Sequence, residues 1–327
     1  MNKEKIPVSV IIPSLNAKEY IAECMDSILN QTLENIEVLC IDAGSTDGTL
    51  KVLKEYSSRD SRIKIFLSKK RSYGAQVNQG IINAKGEYIS IVETDDYIDS
   101  TMLKTLYDLS QYASIDIVKS SFYHVDDSDS EDVKIVKDTA KNSLESVTNY
   151  FKVTDYPIFL EGHPSIWSAI YRRKFLIANK IKFKEEPGGA WVDNPFFYKT
   201  AFLAERILYT NEAYYHYRES NPDSSTNNLK DSSIPMRRIL EMFKIVDEYD
   251  DNENTFRHML YKRLFRYIEI IMENNENNLE RLDKTTLRYI KDALNLVDEE
   301  IVEKKFNKSQ QILYYQLKSP LLLLDLS

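Results

Sequence analysis

Short apolar runs rich in β-branched residues alternate, through the first hundred positions, with stretches whose apolar residues recur every three or four places. Val8-Ser9-Val10-Ile11-Ile12-Pro13 reads as a buried strand stopped by proline, and residues 16–30 read as a helix with Ile21, Met25, Ile28 and Leu29 on one face. Glu37–Asp42 is a second buried strand, followed by the turn-rich Ala43-Gly44-Ser45-Thr46-Asp47-Gly48-Thr49 and a helix over 49–57 with Asp47 as its cap. Ile63–Leu67 is a third strand, 74–84 a helix, and 87–92 a fourth strand. Strands and helices in this rhythm predict right-handed crossovers and a parallel sheet.

After residue 110 the pattern is mixed. Strands are expected at 115–120, 133–136, 167–172 and 213–217, and helices at 173–179 and 193–204. From about 234 the spacing is helical to the end, over 235–249, 255–273, 282–296 and 299–317. The expected division is therefore residues 1–230 as one α/β domain, with halves of about 1–110 and 111–230, and 231–327 as an all-helical appendage.

Composition narrows the classes. Of 327 residues, 43% are hydrophobic and 29% charged, as in ordinary globular chains. A net charge of −8 leaves no basic stripe for nucleic acid. Cys24 and Cys40, the two cysteines, give neither a metal spacing nor a disulfide framework, which fits a reducing cytoplasm. No signal-peptide core is expected in the N-terminal segment, and no run reaches the roughly 18–20 apolar residues that span a bilayer. Eight glycines and nine prolines argue against low-complexity sequence, except in the acidic run 126–132.

The most informative stretch is Tyr88-Ile89-Ser90-Ile91-Val92-Glu93-Thr94-Asp95-Asp96-Tyr97, a β-prone run ending in three carboxylates within four positions. Clustered like charges resist desolvation, and a hard divalent cation such as Mg²⁺ or Mn²⁺ relieves the repulsion while holding phosphates. In parallel sheets ligands sit beyond the carboxyl ends of strands. Three predicted strand ends carry 13–16, 42–44 and 93–96, so all three polar segments converge on one rim, where a nucleotide site is expected.

With their order and spacing, four pieces resemble inverting family 2 glycosyltransferases of the GT-A fold: 10–13 with Asn16, 42–49, 78–89 and 92–96. The resemblance covers roughly 6–110 and implies a Rossmann-like, mainly parallel sheet flanked by helices. It also implies that Asp42 bonds the uracil edge, that Pro13, Ser14 and Asn16 cradle the base, that Asp95 lies near the ribose and that Asp96 holds the metal. Glu93, flanked by Thr94, stands where the family commonly has Asp, and Val77 stands where many members have Arg before Asn78. Arg71, with Lys69 and Lys70, is the nearby basic candidate. Trp191-Val192-Asp193-Asn194-Pro195-Phe196-Phe197 resembles the segment that supplies the general base, with Val192 in place of Glu, so Asp193 is the expected base. Residues 188–190 are expected to form an acceptor loop, with Trp191 stacking on a sugar. In 214–218, His216 resembles a late metal or diphosphate contact, and Arg218 with the 220–226 loop is expected to close over the diphosphate. His163 is expected on the acceptor side.

The implied activity is inverting sugar transfer from a nucleoside diphosphate sugar, most naturally a UDP-sugar, with Mn²⁺ or Mg²⁺. The acceptor is a hydroxyl of a saccharide or lipid-linked saccharide in bacterial capsule or lipooligosaccharide synthesis. A scaffold that keeps the nucleotide fold without turnover is the alternative, favoured by Val77 and Val192. A nucleotidyltransferase lacks support, because 13–16 is not a basic, Gly-rich loop. The aromatic and basic 259–267 helix and the apolar 320–324 tail are candidates for peripheral contact with the inner face of the cell membrane. Sugar, linkage and oligomeric state stay open.

Overall fold

The computed structural model describes residues 5–129, 131–145, 147–188, 191–221, 229, 231–249 and 254–319. Gly189 and Ala190 of the expected acceptor loop, most of the 220–226 loop and the 320–324 tail lie outside these residues. The chain forms two compact units, residues 1–227 and 228–327.

In the first unit the chain runs β1 (Val8–Ser14), α1 (Ile21–Leu29), β2 (Ile36–Asp42), α2 (Thr49–Arg59), β3 (Ile63–Leu67), α3 (Tyr73–Asn83) and β4 (Tyr88–Ile91). It continues through β5 (Tyr97–Ile98), α4 (Met102–Ser110), β6 (Ile117–Asp126), β7 (Lys134–Lys137), β8 (Ala169–Arg172), α5 (Arg173–Ala178), α6 (Asp193–Leu203) and β9 (Ile207–Arg218). One sheet has the order β3-β2-β1-β4-β8-β6-β9-β5, with β7 on β6. Its first four strands are parallel, as the alternating pattern predicts, and every residue of β1 and β2 is buried because helices cover both faces. The other half is mixed. β8 runs antiparallel between β4 and β6, β5 antiparallel to β9, and β6 parallel to β9.

Two boundaries differ from the sequence reading for physical reasons. The first helix begins at Ile21 rather than 16, because Asn16 adopts a left-handed φ of 52° and the backbone amides of 16–18 donate into the 45–49 loop. The last strand extends to twelve residues, pairing with β6 from Ile207 to Arg218 and with β5 at Tyr215 and His216 on its other edge.

The second unit contains α7 (Ile234–Asp247), α8 (Thr255–Asn274), α9 (Lys284–Leu294), α10 (Glu299–Lys305) and α11 (Lys308–Lys318). The single helix expected over 299–317 is broken at Asn307, whose side chain forms a capping box with Gln310. Among the described residues no helix is long and apolar enough to cross a membrane.

Candidate active site

Parallel register sets Ser14 beside Asp42, and β4 delivers the Glu93–Asp96 turn to the same rim. The first two loops are zipped together. Asn16 Oδ1 accepts from Thr46 N (2.9 Å), and the Ser45 hydroxyl accepts from Asn16 N (2.9 Å). Gln76, on α3, fastens both strand ends by donating to Ser14 O (2.8 Å) and Ile41 O (2.6 Å). Asp42 is fully buried. One carboxylate oxygen accepts from Gly44 N and Ser45 N, the other from the Ser45 hydroxyl at 2.6 Å and the Ser14 hydroxyl at 3.4 Å. In this structure the carboxylate shapes the 42–45 loop. Pro13 and Ser14 are buried with it, and the exposed Arg71 donates one guanidinium bond to Gly44 O (3.2 Å) above the same loop.

The acidic turn divides its labour differently from expectation. Asp96 is 1% exposed, and both its oxygens are occupied, by the Tyr215 hydroxyl (2.7 Å) and by Arg218 N (2.8 Å). In this structure Asp96 is an internal tie between the acidic turn and β9. Asp95 is half-buried, with one oxygen accepting from Asn221 Nδ2 (2.8 Å). Arg218 holds the same turn. It is 6% exposed, paired with Glu23 (2.7 Å) and Asp127 (2.7 Å), and donates to Asp95 O, so its guanidinium is spent on holding the turn.

His216 lies on the other face of β9 from Tyr215. Its ring stacks between Tyr97 (4.4 Å between centroids) and Tyr123 (4.9 Å), and Nε2 bonds Asp99 (2.9 Å), although its buried Nδ1 has no partner. Its ring nitrogen thus meets Asp99, whereas Asp96 is held by Tyr215 and Arg218. Among the described residues no three His, Cys, Asp or Glu side chains converge as a metal cage.

Glu93, beside the half-buried Thr94, is the chemically distinctive member. Its carboxyl accepts from the Tyr73 hydroxyl (2.5 Å) and is pushed up to about 8. Burial is the main cause, and the charges of Asp95 and Asp193 add to it against the Tyr73 bond. Asp193 likewise acts on Tyr73 and Tyr171, so the structure brings Glu93, Asp95, Asp193 and Tyr73 into one electrostatic cluster. The folded protein therefore holds a proton on Glu93 that the unfolded chain releases near 4.5. Stability from this group is complete below that value and is lost as pH rises through about 8. A Glu93→Gln variant should unfold with a flatter pH dependence across that window in urea titrations.

Asp193 opens α6, whose N-terminus favours a carboxylate. It is carried there by a loop clasped to α3. Asn78 Nδ2 donates to Phe183 O (2.9 Å) while Asn78 Oδ1 accepts from Phe183 N (2.9 Å), so Asn78 holds the loop. Gly74 permits the approach, since a Cβ there would lie 2.0 Å from Lys184 O. Gly74→Ala should cost about 1–3 kcal/mol in denaturant melts and displace the loop. A variant as stable as the parent would refute the clasp. Trp191, 9% exposed and at φ 67°, is packed inward at the start of this segment.

His163 is half-buried beside Trp167 (5.7 Å) and Tyr217 (5.3 Å), and Trp167 stacks on Tyr215 at 4.1 Å, which connects His163 to the acidic turn through aromatic contacts. Its loop is held by Lys119, buried at 1%, whose ammonium donates to Pro164 O (3.1 Å), the Ser165 hydroxyl (2.7 Å) and the Ser168 hydroxyl (3.0 Å). Lys119 and Lys141 also flank the Phe197 ring of α6 at 5.7 and 5.9 Å. Tyr73, Tyr215 and Lys119 were missed by sequence reasoning. Alternation along β9 was the available signal for Tyr215, since Tyr215 and His216 must face opposite ways.

Residues 9–178 match the profile described as Glycosyl transferase family 2. The uncharacterized glycosyltransferase EpsJ of Bacillus subtilis is 32% identical over 221 residues, which cover 67% of this chain and 62% of that protein, less than two thirds of its length. The cholesterol galactosyltransferase of Borreliella burgdorferi is 28% identical over 316 residues, 91% of this chain and 84% of that one. In fold, S. aureus TarS 1–349 in complex with UDP-GlcNAc superposes with a TM-score of 0.75 at 20% identity, covering 96% of this chain and 91% of the other.

Proposed function

Because the chain belongs to glycosyl transferase family 2, we propose that it transfers a sugar from a UDP-sugar to an acceptor hydroxyl with inversion at the anomeric carbon. The observation that carries this reading is the cluster of Glu93, Asp95 and Asp193 at the carboxyl-end rim of a parallel half-sheet. The UDP and UDP-GlcNAc complexes of TarS support the choice of uridine donor. The buried Ser14 and Asp42 loop would present backbone groups, with Arg71 above it, to the base and diphosphate.

Asp193 would take the proton from the acceptor oxygen as that oxygen bonds to the anomeric carbon and the bond to the diphosphate breaks. Glu93 is unsuited to that task at neutral pH, because it keeps its proton up to about 8 and already accepts from Tyr73. The proton held on Glu93 and the place of Asp193 at the start of α6 give the two neighbouring carboxyls separate roles. Single displacement with no covalent enzyme intermediate gives inversion, as in inverting glycosidases.

Asp95, half-buried and at the turn, suits Mn²⁺ or Mg²⁺, which commonly take one or two carboxylates and complete their shell with water and phosphate oxygens. A structure of mannosyltransferase PcManGT from Pyrobaculum calidifontis in complex with GDP-Man and Mn2+ supports a divalent cation. When bound, the ion supplies positive charge to the departing diphosphate.

The acceptor we favour is a saccharide or lipid-linked saccharide of a bacterial surface polymer, met by a cytoplasmic protein at the inner membrane face, through a domain of about residues 1–230. The relative named for cholesterol supports a lipid-borne hydroxyl. UDP release measured across UDP-sugars and acceptors, with and without EDTA, tests the reading. Metal-dependent release with one donor is expected. UDP binding without transfer to any acceptor would favour the non-catalytic alternative, and absence of UDP binding would refute both.

A further inference from the structure

The segments entering β1 and β4 and leaving β8 enclose a groove of about 800 Å³ at the far end of the strands from the acidic rim, lined by Lys5, Lys85, Gln111, Arg172, Arg173 and Lys174 among others. Lys85 precedes β4 and Glu93 follows it, so the two ends lie up to roughly 26 Å apart at strand spacing. Two of the positive charges are neutralised locally: Lys5 pairs with Glu87 (2.7 Å) and Arg172 with Asp116. Lys85, Arg173 and Lys174 have no ion pair among the described residues. Arg173 is the telling member. Its Nε is buried without a hydrogen-bond partner, while its backbone N is fixed to Glu87 O at 2.9 Å. With no ion pair among the described residues, its guanidinium carries a charge that an anion in the groove would offset.

Three unpaired cations around one concavity are conspicuous in a chain of net charge −8. We propose that this groove is a second binding site, separate from the proposed transfer site, for a phosphate-bearing anion. The volume lies within the usual range for small-molecule sites. Arg173 offers the planar fork that suits phosphate oxygens, the two lysines act as mobile point charges, and Gln111 and Ser114 add neutral polar groups at the wall. A soluble phosphoanhydride and an anionic lipid headgroup share this chemistry.

The test uses the full chain in EDTA, with inorganic pyrophosphate in calorimetry and, in flotation, phosphatidylcholine vesicles with or without phosphatidylglycerol. Pyrophosphate binding that weakens about tenfold or more in a Lys85→Gln/Arg173→Gln/Lys174→Gln variant, but not in Asp95→Asn, identifies a soluble ligand. Flotation that requires phosphatidylglycerol and disappears in the triple variant identifies a headgroup, and either interaction should weaken with added salt. Lys85→Glu, at an exposed position, serves should the triple variant misfold. Binding of neither probe, or binding that survives these substitutions, overturns the proposal. So does pyrophosphate binding abolished by Asp95→Asn, which would place the anion at the donor rim.

Discussion

Replacing Asp193 with asparagine should lower kcat by about 10²–10⁴-fold, the usual worth of a positioned general base, while UDP affinity and thermal stability stay near those of the parent. The amide keeps the size of the side chain and its place at the first turn of α6, so the packing of Phe196 and Phe197 behind it is undisturbed. What it removes is the capacity to accept a proton from the acceptor. The neighbouring Glu93 cannot substitute easily at neutral pH, since burial keeps it protonated up to about 8. The residual rate of the variant should therefore rise with pH through that region, a profile that a purely structural defect would not produce. A variant with unchanged kcat would remove Asp193 from the mechanism.

The adjacent carboxylates Asp95 and Asp96 should fail in opposite ways. Asp96→Ala leaves the Tyr215 hydroxyl and the Arg218 amide without an acceptor in a buried setting. Unsatisfied buried groups cost roughly 1–3 kcal/mol each, so a loss of about 2–5 kcal/mol is expected in denaturant titrations. Asp95→Asn should leave the melt nearly unchanged, because that side chain is half-buried and accepts only from Asn221 among the bonds described. Its deficit should appear in turnover. If the cation supplies several kcal/mol to the departing diphosphate, its loss costs on the order of 10³-fold, and added Mn²⁺ should restore little. Should Asp96→Ala melt like the parent while losing its response to metal, the roles of the two residues would be exchanged.

The two aspartates show where sequence reading stops. Their adjacency and position after a buried strand were legible, and so was the need for an explanation of clustered charge. Which of the two faces inward depends on β5 and β9, whose pairing brings Tyr215 and Arg218 onto Asp96 from more than a hundred residues away. The surroundings of His216 depend on the same distant pairing. Its neighbourhood was recognised as relevant, but strand alternation turned its ring toward Tyr97 and Asp99 while Tyr215 took the acidic face. Asn78 was read as a nucleotide-sugar contact from the motif that resembles the family, and Arg218 from its place before the 220–226 loop. The sequence did not show that long-range bonding to Glu23, Asp127 and Phe183 engages their polar groups.

By itself the sequence determined the parallel half-sheet, the rim on which its polar turns gather, the helical character of the last hundred residues and the family. Each follows from local periodicity or from motifs contiguous along the chain. Only the tertiary structure decided the antiparallel insertion of β8, the burial of Lys119 beneath the His163 loop, and the meeting of Glu93 with Asp193. Those features arise from contacts between distant segments, where the free energy depends on who is buried beside whom, and no short window of residues encodes that.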